Sequence, residues 1–265
     1  MSGETVIHAD DIAKLEASVH DPHHRAGFDR NLWLWEEYNP EHSYLLVADV
    51  ARGDGRDYSA FHIIDITEMR QVAEYQGKVE LDMYAMFLAD TGRQFGGAMI
   101  VVENNNVGYS VLTKLEDMDY SNIYYSVKGS HQFVESYSAK SMSNAVPGFT
   151  TSMKTRPLII AKLEEFVRNN LITIKSSRLL NELKTFVWNN GKPEAMRGYN
   201  DDLVMSLAIA CWVRDTALVS SQRDVEYKKA FLNAMTKSNS TLNTKISGMI
   251  GYDGTKYENE AKQTK

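Results

Sequence analysis

Tyr44–Val50, YLLVADV, is an almost unbroken apolar run that closes on an acid, Asp49. A run this short without polar alternation is the pattern of a strand covered on both faces, the central strand of a sheet rather than a half-solvated one. The turn ARGDGRD follows at 51–57, rich in glycine and charge, and then Ser59–Ile66 (SAFHIIDI) and Gln71–Gly77 read as two further strands joined through Thr67-Glu68. Three consecutive strands linked by short turns form a meander.

Leu81, Tyr84, Ala85, Leu88 and Ala89 recur at helical spacing, which predicts a helix over Leu81–Gln94, stopped by Gly96-Gly97. Ala98–Glu103 (AMIVVE) is a second buried strand ending in an acid, followed by Asn104-Asn105-Asn106 and a helix over Val107–Asp117. Ile123–Val127 and Leu171–Ile174 read as short strands, and Arg156–Asn169 and Ser177–Phe186 as helices. Asn200-Asp201-Asp202 opens an apolar helix, LVMSLAIACWV. Strand-strand-strand-helix-strand-helix-strand-helix is the order of an α/β fold with a mixed five-stranded sheet and helices on both faces, the ribonuclease H-like order. The expected division is an irregular linker or N-terminal extension over 1–40, a nuclease-type domain over 41–216, and a polar tail over 217–265 with a helix near Asp224–Lys237. Within the first segment His20, His23 and His24 could bind a metal or lie in a solvated linker, and Trp33 and Trp35 are expected to pack on the core.

A chain of 265 residues, 43% hydrophobic and 24% charged, can bury one good core. Its one cysteine, Cys211, excludes an internal disulfide and suits a reducing compartment. No apolar run approaches a membrane span, and the first residues, MSGETVIHADD, lack a signal-peptide layout, so a soluble intracellular protein is expected. A net charge of −6 argues against a uniformly basic nucleic-acid surface. Between Tyr120 and Leu180, however, eight Lys/Arg face three acids, so one basic face on an acidic body is possible.

Asp49 and Glu103 both fall at C-terminal strand ends, where open α/β sheets place their ligand crevices, and in this strand order their strands are neighbours. Two facing carboxylates repel unless a cation neutralises them, and hard oxygen ligands without Cys or well-placed His point to Mg²⁺ or Mn²⁺. The third acid comes from the start of the last helix. Asn200 or Asp201 can cap it while Asp202, one step on, projects toward the sheet edge with its charge favoured by the helix dipole. Three such acids suit two ions and in-line phosphodiester hydrolysis. Taken singly, a strand-terminal Asp is a common turn residue and NDD a common capping sequence; the joint placement is what distinguishes them.

VADVARGDGRDYSAFHIIDI, VVENNNVG and GYNDDLVMSLAIA resemble the first, second and third nuclease motifs of tailed-phage large terminases, the third in the form found in T4-like myoviruses, over about Tyr44 to Val213. The resemblance implies a metal-dependent endonuclease cutting concatemeric double-stranded viral DNA during headful packaging. Asp49, Glu103 and Asp202 would be its catalytic and metal-binding acids and Asp201 a neighbour that assists. Asp57 would be a further metal or water ligand, or else a turn residue. Lys154 and Arg156, with Lys128 and Lys140, are candidates for holding backbone phosphates, or a solvated helix start. Asn200 stands where the family often has His, which puts a proton-transfer role there in doubt. By the same resemblance the partners are the terminase ATPase domain, whose GxxxxGK[ST] loop this chain lacks, the portal protein and the small terminase subunit, on a procapsid-bound motor in the host cytoplasm. A junction resolvase or exonuclease of the same fold, an ATP binder of the actin and sugar-kinase type, and an inactive portal-docking module are the alternatives.

Overall fold

The computed structural model describes residues 4–52, 57–105, 107–128, 133–134, 139 and 142–218. The helix expected near Asp224–Lys237 lies outside the described residues, as does Lys140.

The YLLVADV run forms β3 (Tyr44–Asp49), buried at every position except its last. It is paired with a strand along each edge. β4 (Ser59–Asp65) runs antiparallel to it with Val47 opposite His62, and β6 (Met99–Val102) runs parallel with Val47 beside Val101. β5 (Arg70–Gly77) pairs antiparallel with β4, completing the expected meander. Alternate residues of β3 then serve two cores, as the two-residue period of a strand requires. Leu45 and Val47 join one cluster with Ile160, Leu163, Leu183 and Leu207, while Tyr44, Leu46 and Ala48 join the other with Tyr84, Leu88 and Leu112. α2 (Leu81–Gln94) and α3 (Gly108–Asp117) thus cover one face, and α4 (Thr155–Arg168), α5 (Ser177–Thr185) and α6 (Asp202–Val213) the other. α6 is buried on all sides, from Leu203 through Cys211, so truncating a side chain such as Ile209 to Ala costs about 2–5 kcal/mol. Among the described residues no helix is long and apolar enough to cross a membrane.

The sheet departs from the expected five strands at both edges. Among the described residues its order is β1-β2-β5-β4-β3-β6, six strands, because β1 (His24–Ala26) and β2 (Leu32–Leu34) extend it beyond β5. These fall in the segment read as an irregular linker, which also holds a helix, α1 (Ala9–Glu16). Three-residue strands are too short to register as a pattern, although Trp35 is buried as expected, its indole N–H donating to the His20 carbonyl at 2.9 Å. At the other edge Ile123 meets Ile100 of β6 through one parallel bridge. The chain then enters a separate three-stranded sheet made of β7 (Tyr125–Val127), β8 (Phe133–Val134) and β9 (Ala145–Pro147). The strand expected over Leu171–Ile174 reduces to a bridge between Thr173 and Arg70, since the segment passes β5 at its end only. A hairpin absent from the sequence reading, β10 (Phe186–Asn189) and β11 (Lys192–Ala195), precedes α6. Asn190 and Gly191 turn it with φ of 50° and 77°, the left-handed pair that a two-residue hairpin loop demands.

Gly108, the first residue of α3, packs so tightly behind β6 that an added Cβ would lie 1.8 Å from the Glu103 carbonyl oxygen. Gly→Ala in a helix ordinarily stabilises by about 0.5–1 kcal/mol. Here the sign should reverse: Gly108→Ala is expected to destabilise by about 1–3 kcal/mol in urea unfolding, and a gain in stability would show that the turn after Glu103 can relax.

Candidate metal centre

β3 and β6 end side by side, and the Glu103 N–H donates to the Ala48 carbonyl at 2.9 Å, which carries the parallel pairing one residue past β6 and sets Glu103 beside Asp49. Their carboxyl groups sit close enough to act directly on each other. Burial, and then the neighbouring Glu103 carboxyl, hold the Asp49 carboxyl well above the usual carboxylate range, with Asp202 and Asp201 adding to the effect. Side chains brace both strand ends. Tyr84, whose phenol burial and Asp49 keep protonated, donates to the Ala60 carbonyl at 2.9 Å and to that of Asp49 at 3.3 Å. Asn105 donates from one amide nitrogen to Glu103 Oε1 and to the Thr151 carbonyl, both at 2.9 Å. Asn104 reaches the Pro147 carbonyl at 2.8 Å and accepts from Thr150 at 2.9 Å. The loop leading into α4 therefore straps the end of β6.

Asp202 opens α6, and its Oδ2 accepts from the Tyr58 amide and from Asn200 Nδ2, each at 3.2 Å. Burial pushes its carboxyl up to about 6, the Tyr58 amide works against this, and the charges of Asp201 and Asp57 add to the rise. Neither Asn200 nor Asp201 caps the helix through its side chain, contrary to expectation: Asn200 turns to Asp202, and Asp201 forms an ion pair with Arg156. Arg156 also donates from Nε to the Pro193 carbonyl at 3.2 Å. Two residues expected to contact metal and phosphate separately thus satisfy each other. The cap comes from elsewhere. Glu182 of α5 accepts the Leu203 and Val204 N–H groups on one oxygen, at 2.9 and 3.1 Å. Sequence reasoning did not single it out, although an acid on the apolar stripe Leu179, Leu183, Phe186 is the signal that could have done so.

A cleft of about 570 Å³ opens over this edge, lined by Asp49, Val50, Arg52, Asp57, Glu103 and Asn105 among others. The structure therefore brings Asp49, Glu103 and Asp57 to one cavity with Asp202 electrostatically coupled to Asp49 beside it. Lys154, exposed just ahead of α4, and Lys128, which follows β7, are not among the residues lining it. Among the described residues no three His, Cys, Asp or Glu side chains are already arranged around a single ion position, the histidines at 20, 23 and 24 included. The donor set still fits a hard divalent cation: every candidate ligand is a carboxylate, and Asp49 is desolvated among acids whose charges a cation would offset.

No protein-family model matches the chain. In three dimensions it is similar to the large terminase nuclease from thermophilic phage G20c with bound magnesium, at a TM-score of 0.58 and 19% identity over 76% of this chain and 95% of that one. The same nuclease with bound cobalt gives a TM-score of 0.57 at 19% identity, over 76% and 95%. The large terminase nuclease domain of Thermus phage P74-26 gives 0.55 at 19% identity, over 76% and 93%. What is shared at this identity is the fold, the ribonuclease H-like mixed sheet with helices on both faces that the element order implied.

The Asp202 shift has a sign that can be tested. In the unfolded chain the carboxyl titrates near 3.8 and in the fold at about 6, so the folded state holds more protons across that window and stability falls as pH rises through it. Above the window the cost of the charged group remains in full. Asp202→Asn is therefore expected to raise the Tm of the metal-free protein by roughly 3 °C at pH 8, with a smaller gain at pH 4.5. Equal gains at both pH values, or none at pH 8, would contradict the charge cost.

Proposed function

We propose that this chain is the nuclease domain of a viral large terminase, a metal-dependent endonuclease that cuts double-stranded DNA during genome packaging. One observation carries the reading: Asp49 and Glu103 stand side by side at the ends of adjacent parallel strands, on the edge where Asp202 enters from the start of α6. The fold similarity to terminase nucleases supports it, as do the three sequence stretches that resemble terminase motifs. Asp49, Glu103 and Asp202 are the proposed catalytic and metal-binding acids. Two divalent cations held there, Mg²⁺ or Mn²⁺, would supply an acidified water and offset the charge that develops on the scissile phosphate.

The chain's own part is position. Asn105 orients Glu103, the Tyr58 amide and Asn200 orient Asp202, and the burial of Asp49 raises the gain from an arriving cation. Arg156 neutralises Asp201, which favours Asp202 as the ligand of the pair and gives Asp201 a supporting place. Asp57 on the cleft lip is the proposed outer ligand, with Lys154 and Lys128 as proposed phosphate contacts, so that binding is salt-dependent. The kinship proposed from GYNDDLVMSL is with T4-like terminases. Headful cutting of concatemers at a procapsid motor in the host cytoplasm, with ATPase, portal and small-subunit partners, belongs to the same proposal.

With supercoiled plasmid and Mg²⁺ or Mn²⁺, the parent chain is expected to nick and linearise closed circles. Asp49→Ala, Glu103→Ala and Asp202→Ala are each expected to lose at least ~100-fold in rate with unchanged circular dichroism. Substantial cleavage by any of the three would sink the assignment, and cutting confined to free DNA ends would turn it toward an exonuclease.

A further inference from the structure

The first turn of α6 is held in an unusual way. A helix leaves its first N–H groups without partners, and a local side chain ordinarily takes one of them. Here the local candidates are spent elsewhere, Asn200 on Asp202 and Asp201 on Arg156. Glu182, almost wholly buried, arrives from α5 and accepts two of these N–H groups on Oε2 while Gln76 of β5 donates to its Oε1 at 2.7 Å. On the other side of the same residue, the Leu203 carbonyl accepts from Nε2 of the fully buried His62 on β4, at 2.9 Å. The direction of that bond is fixed from behind. Gln71 donates an amide hydrogen to His62 Nδ1 at 3.0 Å, which leaves the imidazole proton on Nε2. The Gln71 carbonyl in turn accepts the Lys175 and Ser176 N–H groups at 2.9 and 3.0 Å, and Glu74, which receives the other Gln71 hydrogen, is anchored by Arg178 at 2.8 Å.

Leu203 is thus gripped by its N–H and its C=O from two other elements. Its N–H belongs to the peptide unit whose other half is the Asp202 carbonyl, so the grip sets the plane from which the Asp202 side chain departs. We infer that Glu182, working against His62, is a positioning residue for the Asp202 carboxylate. It substitutes for the missing local cap and fixes where the third carboxylate stands relative to Asp49 and Glu103. The inference rests on the reading of Asp202 as a metal-binding group.

The test uses Mn²⁺ alone as probe, followed by calorimetry, together with amide hydrogen exchange on the metal-free chain. Glu182→Met fills the volume without an acceptor. It is expected to weaken Mn²⁺ binding by ~10–100-fold and to speed exchange at Leu203 and Val204. Glu182→Gln keeps an oxygen for both N–H groups and is expected to stay within about 3-fold of the parent. Ile209→Ala, a cavity far along the same helix, controls for stability: it should lower Tm and leave Mn²⁺ affinity unchanged. Should Glu182→Met fail to fold, Glu182→Asp, one methylene short of the amides, takes its place with an expected loss of at least about 5-fold. Mn²⁺ affinity equal to the parent in the folded Met or Asp variant overturns the positioning role, and so does a loss in Ile209→Ala as large as theirs. Unchanged Mn²⁺ affinity in Asp202→Ala overturns the metal-site reading itself, a result independent of anything Glu182 does.

Discussion

Two carboxylates that end neighbouring parallel strands cannot both carry full charge at contact distance unless something positive joins them, and most of the local architecture answers to that constraint. Burial and the neighbouring Glu103 carboxyl together hold the Asp49 carboxyl well above the usual carboxylate range. Nearby donors are directed to backbone and ligand positioning. Tyr84 holds carbonyls, Asn105 ties Glu103 to the strap after β9, and the Tyr58 amide holds Asp202. Arg156, drawn into the acidic group from α4, is directed at Asp201, while Arg52 lines the same cleft as Asp49, Asp57 and Glu103.

Behind that edge lies a second layer of polar chemistry within an otherwise apolar sandwich. His62, Gln71 and Glu74 are fully buried, and Gln71 hydrogen-bonds to both of the others while His62 reaches α6 and Glu74 reaches Arg178 of α5. Such a network costs desolvation, and fully satisfied it permits a single arrangement of the elements it joins. Its outer end, Arg178, lies 3.8 Å over the ring of Trp33 on β2, so the two strands added at the sheet's far edge cover the root of the network whose tip touches Leu203.

The sequence was most legible where a single strand or helix carried the signal. Burial of β3 and β6 on both faces shows in YLLVADV and AMIVVE because two covered faces leave no polar alternation, and the acids at their ends follow from counting. NDD ahead of an apolar run marks α6 for the same reason. Legibility stopped where partners are distant in sequence. Nothing in the local pattern pairs Arg156 with Asp201, or sends Glu182 to cap a helix that begins twenty residues later, because those contacts exist only after α4, α5 and α6 pack together. The β10–β11 hairpin falls between the two cases. Asn190-Gly191 is a turn signal, but its strands are four residues long, carry Pro193 and expose Trp188, so their alternation is weak.

α6 offers the site no hinge. It is buried around its whole circumference, and its first turn is tied to α5 and β4, so Asp202 cannot loosen by fraying as the end of a surface helix does. Heating should therefore not produce a softened but folded chain with Asp202 displaced. The placement of Asp202 and the cohesion of the core then share one thermal limit, the temperature at which the chain stops being folded.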